Sequence, residues 1–213
     1  MKIIDLGLTD YNKALEIQLQ TVDEVMAGGE DTLLFCSHHP VVTLGRAFKN
    51  KDQGEVTWQG EVVETSRGGK ATYHGPGQIV VYPIIDLNKK RQNLKSRDLH
   101  AYLRALEDSL IESLKEFGLS AEMKETPKNS EVQMTGVWVG EQKIASIGVA
   151  VKKWVTYHGA ALNFNIDPEA FQGIIPCGFS KNIMTSVEEL LPDTPERADF
   201  LSVLQKIMIR NLV

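Results

Sequence analysis

Cysteine is the residue this chain has least of. Its 213 residues include two cysteines, Cys36 and Cys177, too few to staple a fold through disulfides. Lysine and arginine nowhere gather into a stripe that could track a phosphate backbone, and the formal net charge is −5, so nucleic acid is not an expected partner. No apolar run approaches the ~20 residues needed to cross a bilayer, and no membrane is expected. The chain reaches an acid at Asp5 and offers no small-residue cleavage site nearby, which reads as the absence of a secretory signal. Both thiols are therefore expected to stay reduced, in a cytoplasmic protein. His and Cys lack the regular spacing of a zinc site. There is no Gly-Lys-Ser/Thr phosphate loop, and Gly75-Pro76-Gly77 leads into a strand pattern instead of the helix that a dinucleotide fingerprint opens. No metal and no cofactor are expected. With no repeat, low-complexity tract or long linker, the length suits one domain over residues 1–213.

Hydrophobic residues make up 42% of the chain and charged residues 24%, ordinary values for a globular protein with a core. Apolar patterning places strands over 2–8, 61–65 and 79–87, and two more within 31–45 joined by a turn at Pro40. Residues 131–139 and 143–151 read as a hairpin about Gly140-Glu141, followed by a strand region over 154–166. Tyr11, Leu15, Leu19, Val22 and Met26 mark a helix over 10–26 closed by Gly28-Gly29. Leu99, Tyr102, Leu106, Leu110, Leu114 and Phe117 mark a second, ended by Gly118. Thr185-Ser186-Val187-Glu188 has the form of a capping box for a short helix. Thr194-Pro195 reads as the start of a final helix carrying Phe200, Leu201, Leu204 and Met208. Clustered strands with a few helices between them imply an α+β fold of mixed, largely antiparallel sheets with packed helices.

Four glycines, at 68, 69, 75 and 77, fall within residues 67–78. Such a density lets a ligand approach bare backbone. Arg67, Thr72, Tyr73 and His74 add hydrogen-bonding chemistry that a double turn between strands does not need. Lys143 follows the Gly140-Glu141 turn, ordinarily a place for a solvated strand-edge lysine, yet Ala145, Ser146 and Gly148 would keep its neighbourhood open for a substrate. Cys177 stands between Pro176 and Gly178, flanks that argue against burial in a helix or strand. A thiol becomes a nucleophile when a nearby cation lowers its pKa from about 8.5, and a lysine can supply the cation and then shuttle the proton. Cys36, inside an apolar strand, reads as the structural cysteine. His38, His39, His74 and His158 read as core or pocket histidines. A thiol, a positioned amine and a glycine-lined pocket are together the parts of a thioester-handling acyltransferase.

On these residues the chain resembles the lipoyl(octanoyl) transferase family. The resemblance spans nearly the whole length. It is carried by His-Pro-Val-Val-Thr-Leu-Gly-Arg (39–46), Arg-Gly-Gly-Lys-Ala-Thr-Tyr-His-Gly-Pro-Gly-Gln (67–78), Gly-Glu-Gln-Lys-Ile-Ala-Ser-Ile-Gly (140–148), His-Gly-Ala-Ala-Leu-Asn (158–163) and Pro-Cys-Gly (176–178). It implies an enzyme that carries octanoyl from octanoyl-acyl carrier protein to a lysine of lipoate-dependent proteins. Those recipients are the lipoyl domains of 2-oxoacid dehydrogenase complexes and the glycine cleavage H protein. The implied catalytic dyad falls on Cys177 and Lys143. The implied pocket falls on Arg67, Gly68, Gly69, Lys70, Ala71, Thr72, Tyr73 and His74, with Ser146, Ile147, Gly148, Gly159, Ala160 and Ala161. The implied fold is that of the biotin and lipoate protein ligase catalytic domains. Three other readings share parts of this pattern. They are an ATP-dependent lipoate-type ligase, a hydrolase pairing Cys177 with His158 or His74, and a non-catalytic module that binds carrier protein.

Overall fold

The computed structural model describes residues 1–49, 56–127, 134–167, 170–174 and 183–213. In chain order the first half runs β1 (Lys2–Thr9), α1 (Tyr11–Met26), β2 (Thr32–His38), β3 (Val41–Leu44), β4 (Glu61–Glu64), β5 (Ala71–His74) and β6 (Gln78–Ile84). The second runs α2 (Leu99–Glu116), β7 (Gly136–Val139), β8 (Gln142–Lys152), β9 (Val155–Asn163), α3 (Val187–Leu190) and α4 (Arg197–Leu212). Six strands make one sheet in the order β1-β2-β6-β9-β8-β7, and β4-β3-β5 make a second. β1 runs parallel to β2 and β3 parallel to β4, while the other named pairs are antiparallel. The expected mixed, largely antiparallel α+β architecture is present.

β2 and β6 are buried along their whole lengths because both sheet faces are covered. Successive strand residues point to opposite faces. Leu33, Phe35, Ile79 and Val81 therefore join one core, and Leu34, Cys36, Val80 and Tyr82 the other. The first face is covered by α2, through Tyr102, Leu106, Leu110 and Leu114, and by α4, through Phe200, Leu204 and Met208. α1 covers part of the second face with Ala14, Val22 and Val25. A separate cluster of Val42, Ala71, Tyr73, Phe171 and Ile174 belongs to the small sheet.

The turn at Pro40 does join two strands, but β2 and β3 enter different sheets, a choice that local patterning does not encode. The glycine-rich segment contains a strand, β5. The short-helix cap lies one residue later than the sequence suggests: Ser186, not Thr185, accepts from the Glu189 N–H. Thr185 Oγ1 instead donates to Glu189 Oε2 at 2.9 Å. α4 begins at Arg197 after Glu196, not at Thr194-Pro195. The Thr194 hydroxyl is spent on the Leu191 carbonyl at the end of α3. The hairpin's first strand begins at Gly136, and 131–133 lie outside the described residues. Among the described residues no helix is long and apolar enough to cross a membrane.

Asp98 caps α2 by accepting from the Ala101 N–H at 3.0 Å, whereas Leu106 is fully buried in the core that α2 covers. Asp98→Ala should cost about 1 kcal/mol and Leu106→Ala about 2–5 kcal/mol. Urea unfolding of both variants checks the order, and equal losses would show that the cap and the core do not contribute as assigned.

Candidate active site

A cleft, part of it open to solvent, lies where the two sheets meet. Arg67, Gly69, Thr72 and His74 line it from the small-sheet side; Ser146, Ile147 and Gly148 line it from β8, and Gly159, Ala160 and Ala161 from β9. Four expected residues are elsewhere, two because β5 alternates like any strand and two because they lie in the loop before it. Thr72 and His74 face the cleft, while Ala71 and Tyr73 pack into the small-sheet core beside Phe171. Gly68 donates its N–H to the Val149 carbonyl at 3.0 Å, and Lys70 offers its carbonyl to Arg67 at 2.8 Å. His158 lines the cleft as well, in keeping with its reading as a core or pocket histidine, and so do Tyr11, Val80 and Tyr82, which no motif marks. A polar tip on an otherwise apolar element, as at Tyr11 and Tyr82, was the available signal.

Arg67 is 6% exposed. Its Nε reaches Thr43 Oγ1 at 3.1 Å, Nη1 donates to Gly68 O at 2.9 Å, and Nη2 donates to Thr43 O and Lys70 O. Curling the loop round this side chain requires Gly69, whose φ of +82° a Cβ-bearing residue rarely adopts. It also requires Gly45, where a Cβ would lie 2.3 Å from the Gly69 carbonyl oxygen.

Three histidines surround the cleft, all buried; His39 instead is exposed, contrary to its reading as a core or pocket residue. His38 Nδ1 faces the Thr9 carbonyl at 3.0 Å, so it carries the proton, and Nε2 accepts from the Tyr82 hydroxyl at 2.7 Å. Burial pulls the His38 pKa down to about 4 and, with the Arg67 charge, the His158 pKa to about 3. His74 is pushed well below its ordinary value by burial and by His38 and Arg67. Burial also raises the Tyr11 hydroxyl to about 12. The cleft thus presents neutral imidazoles and phenols near neutral pH. His158 holds a φ of +55° while its N–H donates to Gln18 Oε1 at 2.8 Å. Its Nε2 meets Ser66 Oγ at 3.1 Å.

His74 Nδ1 donates to Gln78 Oε1, Gln78 Nε2 donates to Asn163 Oδ1 at 2.9 Å, and Asn163 Nδ2 donates to the Thr185 carbonyl at 2.9 Å. The Thr185 N–H in turn donates to the Lys143 carbonyl at 3.0 Å. A polar chain therefore runs from the cleft to the backbone of Lys143. The Lys143 side chain does not line the cleft. It is 2% exposed, donates from Nζ to the Thr135 carbonyl at 2.8 Å, and lies 5.5 Å from the centre of the Trp138 ring. Cys177, the expected nucleophile, lies outside the described residues. Cys36 is buried beside His38, and burial raises its pKa far from the thiolate range.

The family model described as the lipoyl protein ligase A/B catalytic domain matches residues 10–209. An octanoyltransferase of Bdellovibrio bacteriovorus is 43% identical over 216 residues, covering 98% of this chain and 97% of its own. One from Clostridium kluyveri is 41% identical over 206 residues, covering 94% and 82%. Among solved structures, lipoate-protein ligase A bound with ATP aligns with a TM-score of 0.76 at 18% identity, over 99% of this chain and 85% of that one. Biotin protein ligase from Aquifex aeolicus aligns with a TM-score of 0.54 at 15% identity, over 100% and 69%. At these identities the two structures speak for the fold alone.

The buried histidines set a pH dependence of stability. Unfolded, they take up protons below their ordinary value of 6.5; folded, His38 resists until about 4 and His158 until about 3. The unfolded state therefore binds more protons in this window, and stability falls as pH drops through it. His38→Asn should flatten the fall by up to about 1.4 kcal/mol per pH unit. Urea unfolding in steps from neutral pH to about pH 5, above most carboxylate titration, measures the slope. An unchanged slope would show that His38 titrates in the fold as it does unfolded, and a steeper one that it stays protonated there.

Proposed function

This chain belongs to the lipoyl protein ligase A/B catalytic family and is an acyltransferase; we propose that it moves octanoyl from acyl carrier protein to lipoyl-domain lysines through a thioester on Cys177. The Cys177 thiolate attacks the carrier thioester. A new carbon–sulfur bond forms to Cys177, the old one breaks, and the carrier sulfur leaves with a proton from Lys143. Exchange of one thioester for another is close to neutral in energy. The recipient lysine then attacks the acyl-enzyme, a carbon–nitrogen bond forms, and the bond to Cys177 breaks. Lys143 takes up the proton released by the amine and returns it towards sulfur. An unperturbed lysine has a pKa of about 10.4, so the recipient needs such a relay to attack as a neutral amine.

What supports this reading is the burial of Lys143, one of the largest fully buried side chains of the chain. A lysine is costly to bury unless its charge is held, and here the Thr135 carbonyl and the Trp138 ring fix the ammonium in place. Met184, downstream of Cys177, bridges to the Lys143 backbone, which ties the end of the Cys177 segment to the same strand. The cleft takes the acyl chain: Val80, Ile147, Ala160 and Ala161 supply apolar surface, and Arg67, Thr72 and His74 a polar rim. The recipients are lipoyl domains, those of 2-oxoacid dehydrogenase complexes and the glycine cleavage H protein. A cytoplasmic site of action fits a mechanism that needs Cys177 reduced.

With octanoyl-acyl carrier protein and no ATP, intact mass should show one octanoyl group on the wild type and none on Cys177→Ala, which should also lose transfer. Near wild-type transfer by Cys177→Ala would end the thioester mechanism, and strict ATP dependence would favour a ligase. Lys143→Arg keeps the charge but cannot release its proton. It should accept octanoyl more slowly, the carrier sulfur leaving as an unprotonated thiolate, and then stall before the recipient, as single-turnover mass analysis would read. Wild-type turnover in Lys143→Arg would remove the proton relay.

A further inference from the structure

We infer that Glu107 is a positioning residue for Lys143, acting through the peptide group between Thr135 and Gly136. The inference rests on the reading of Lys143 as the proton-moving group. Glu107 lies within α2 and is 5% exposed. Its Oε1 accepts from the Gly136 N–H at 3.2 Å. The carbonyl of that same peptide, Thr135 O, accepts from Lys143 Nζ at 2.8 Å. Carboxylate, peptide and ammonium therefore stand in series. Because a peptide group is planar, fixing its N–H fixes the direction of its carbonyl, and so the place where the ammonium sits. Hydrogen bonds in series also polarise one another.

The joint is built for this contact. Gly136 has a φ of +135°, and a Cβ there would lie 2.6 Å from Lys143 Cε. Only glycine lets the lysine stem pass so close to the peptide that holds its head. The Trp138 ring flanks the same ammonium, and a cation over an indole face is held more firmly when desolvated.

Packing alone does not account for a carboxylate here. A buried acid is costly unless it is paired and hydrogen-bonded. The Glu107 partner Arg104 is 3.4 Å away with a side chain 52% exposed, an arrangement worth little by itself. Burial raises the Glu107 pKa, while Gly136, Arg104 and Lys143 oppose that shift. Charged groups near Lys143 include Glu107, with Arg104 and Asp108 acting on it from α2, and Lys124, whose ammonium lies 5.1 Å from the Trp138 ring centre and is paired with Glu141 at 2.8 Å. Glu107 is the acid among them that reaches the peptide holding Lys143. Its charge favours the ammonium form of Lys143, the form that must be ready when the carrier sulfur departs. Glu107 itself gains and loses no proton.

The test compares Glu107→Gln, Arg104→Gln, Lys143→Met and wild type, each checked for a cooperative thermal transition. Octanoyl transfer is followed against pH, with acyl-enzyme formation read by intact mass. Glu107→Gln keeps the shape and removes the charge. The alkaline limb of its acylation profile should move down by roughly half a unit to one unit, with up to about a tenfold loss of rate above the limb. Arg104→Gln removes the cation that competes for Glu107, so its limb should move up; this variant carries the test if Glu107→Gln does not fold. Limbs that coincide with wild type in both variants, while Lys143→Met is inactive, would overturn the role of Glu107 and leave that of Lys143 standing. Full activity in Lys143→Met would instead remove the reading on which the inference rests.

Discussion

A guanidinium cannot be left in an apolar seam without acceptors, and Arg67 sits where the two sheets meet. Four oxygens answer it, Thr43 Oγ1 and the carbonyls of Thr43, Gly68 and Lys70. Collecting three carbonyls round one side chain forces the tight loop, and the loop forces glycine at 69 and at 45. The Gly68 N–H then pairs with Val149 on β8, which ties the small sheet to the large one and leaves the cleft between them. Burial lowers the imidazole pKa of His74 and His158, and the same cation lowers them further. The shape of the cleft thus follows from one buried charge, which also reinforces its electrostatics.

Much of the fold was legible because its elements are locally marked. α2 declares itself through apolar residues four apart, from Tyr102 to Leu114, and β6 through an unbroken apolar run. Sheet membership was not legible: nothing in residues 32–44 states that β2 and β3 part company after Pro40. The capping errors have the same origin, since Thr185 and Ser186 both suit a cap and only tertiary contacts decide between them. In the site, the glycine-rich segment, the small residues of β8 and the His-Gly-Ala-Ala run of β9 were readable, and the structure gathers most of them on one cleft. Tyr11 and Tyr82 were not, because each stands in an apolar pattern that reads as core, Tyr11 on the apolar face of α1 and Tyr82 in the apolar run of β6. Whether β5 contributes Thr72 or Tyr73 depends on strand phase, which a glycine-rich stretch obscures.

The fold is shared with proteins described as lipoate and biotin ligases, so architecture alone does not choose between chemistries. The difference lies in where activation energy comes from. A ligase activates a free acid with ATP, whereas an acyl thioester arrives already activated, and then a nucleophilic sulfur suffices. Among the described residues the lining of the cleft holds neutral imidazoles, phenols, hydroxyls and one arginine.

β8 and β9 face each other with Ser146 opposite Ala161 and Gly148 opposite Gly159. In a sheet otherwise rich in β-branched residues, these pairs form a trough of small residues beside the cleft. A Cβ on Gly148 would meet the Gly68 carbonyl oxygen at 3.0 Å and Arg67 Cδ at 3.2 Å, and one on Gly159 would lie 2.1 Å from the Val81 carbonyl oxygen. At the two glycines side-chain size is already at its lower bound. Sequence drift there is one-directional: any replacement subtracts space or pushes the loop off its seat, and none adds depth. A variant adapted to a bulkier ligand would have to gain its room elsewhere, at Val80 or Tyr82 on β6, where there is still side chain to remove.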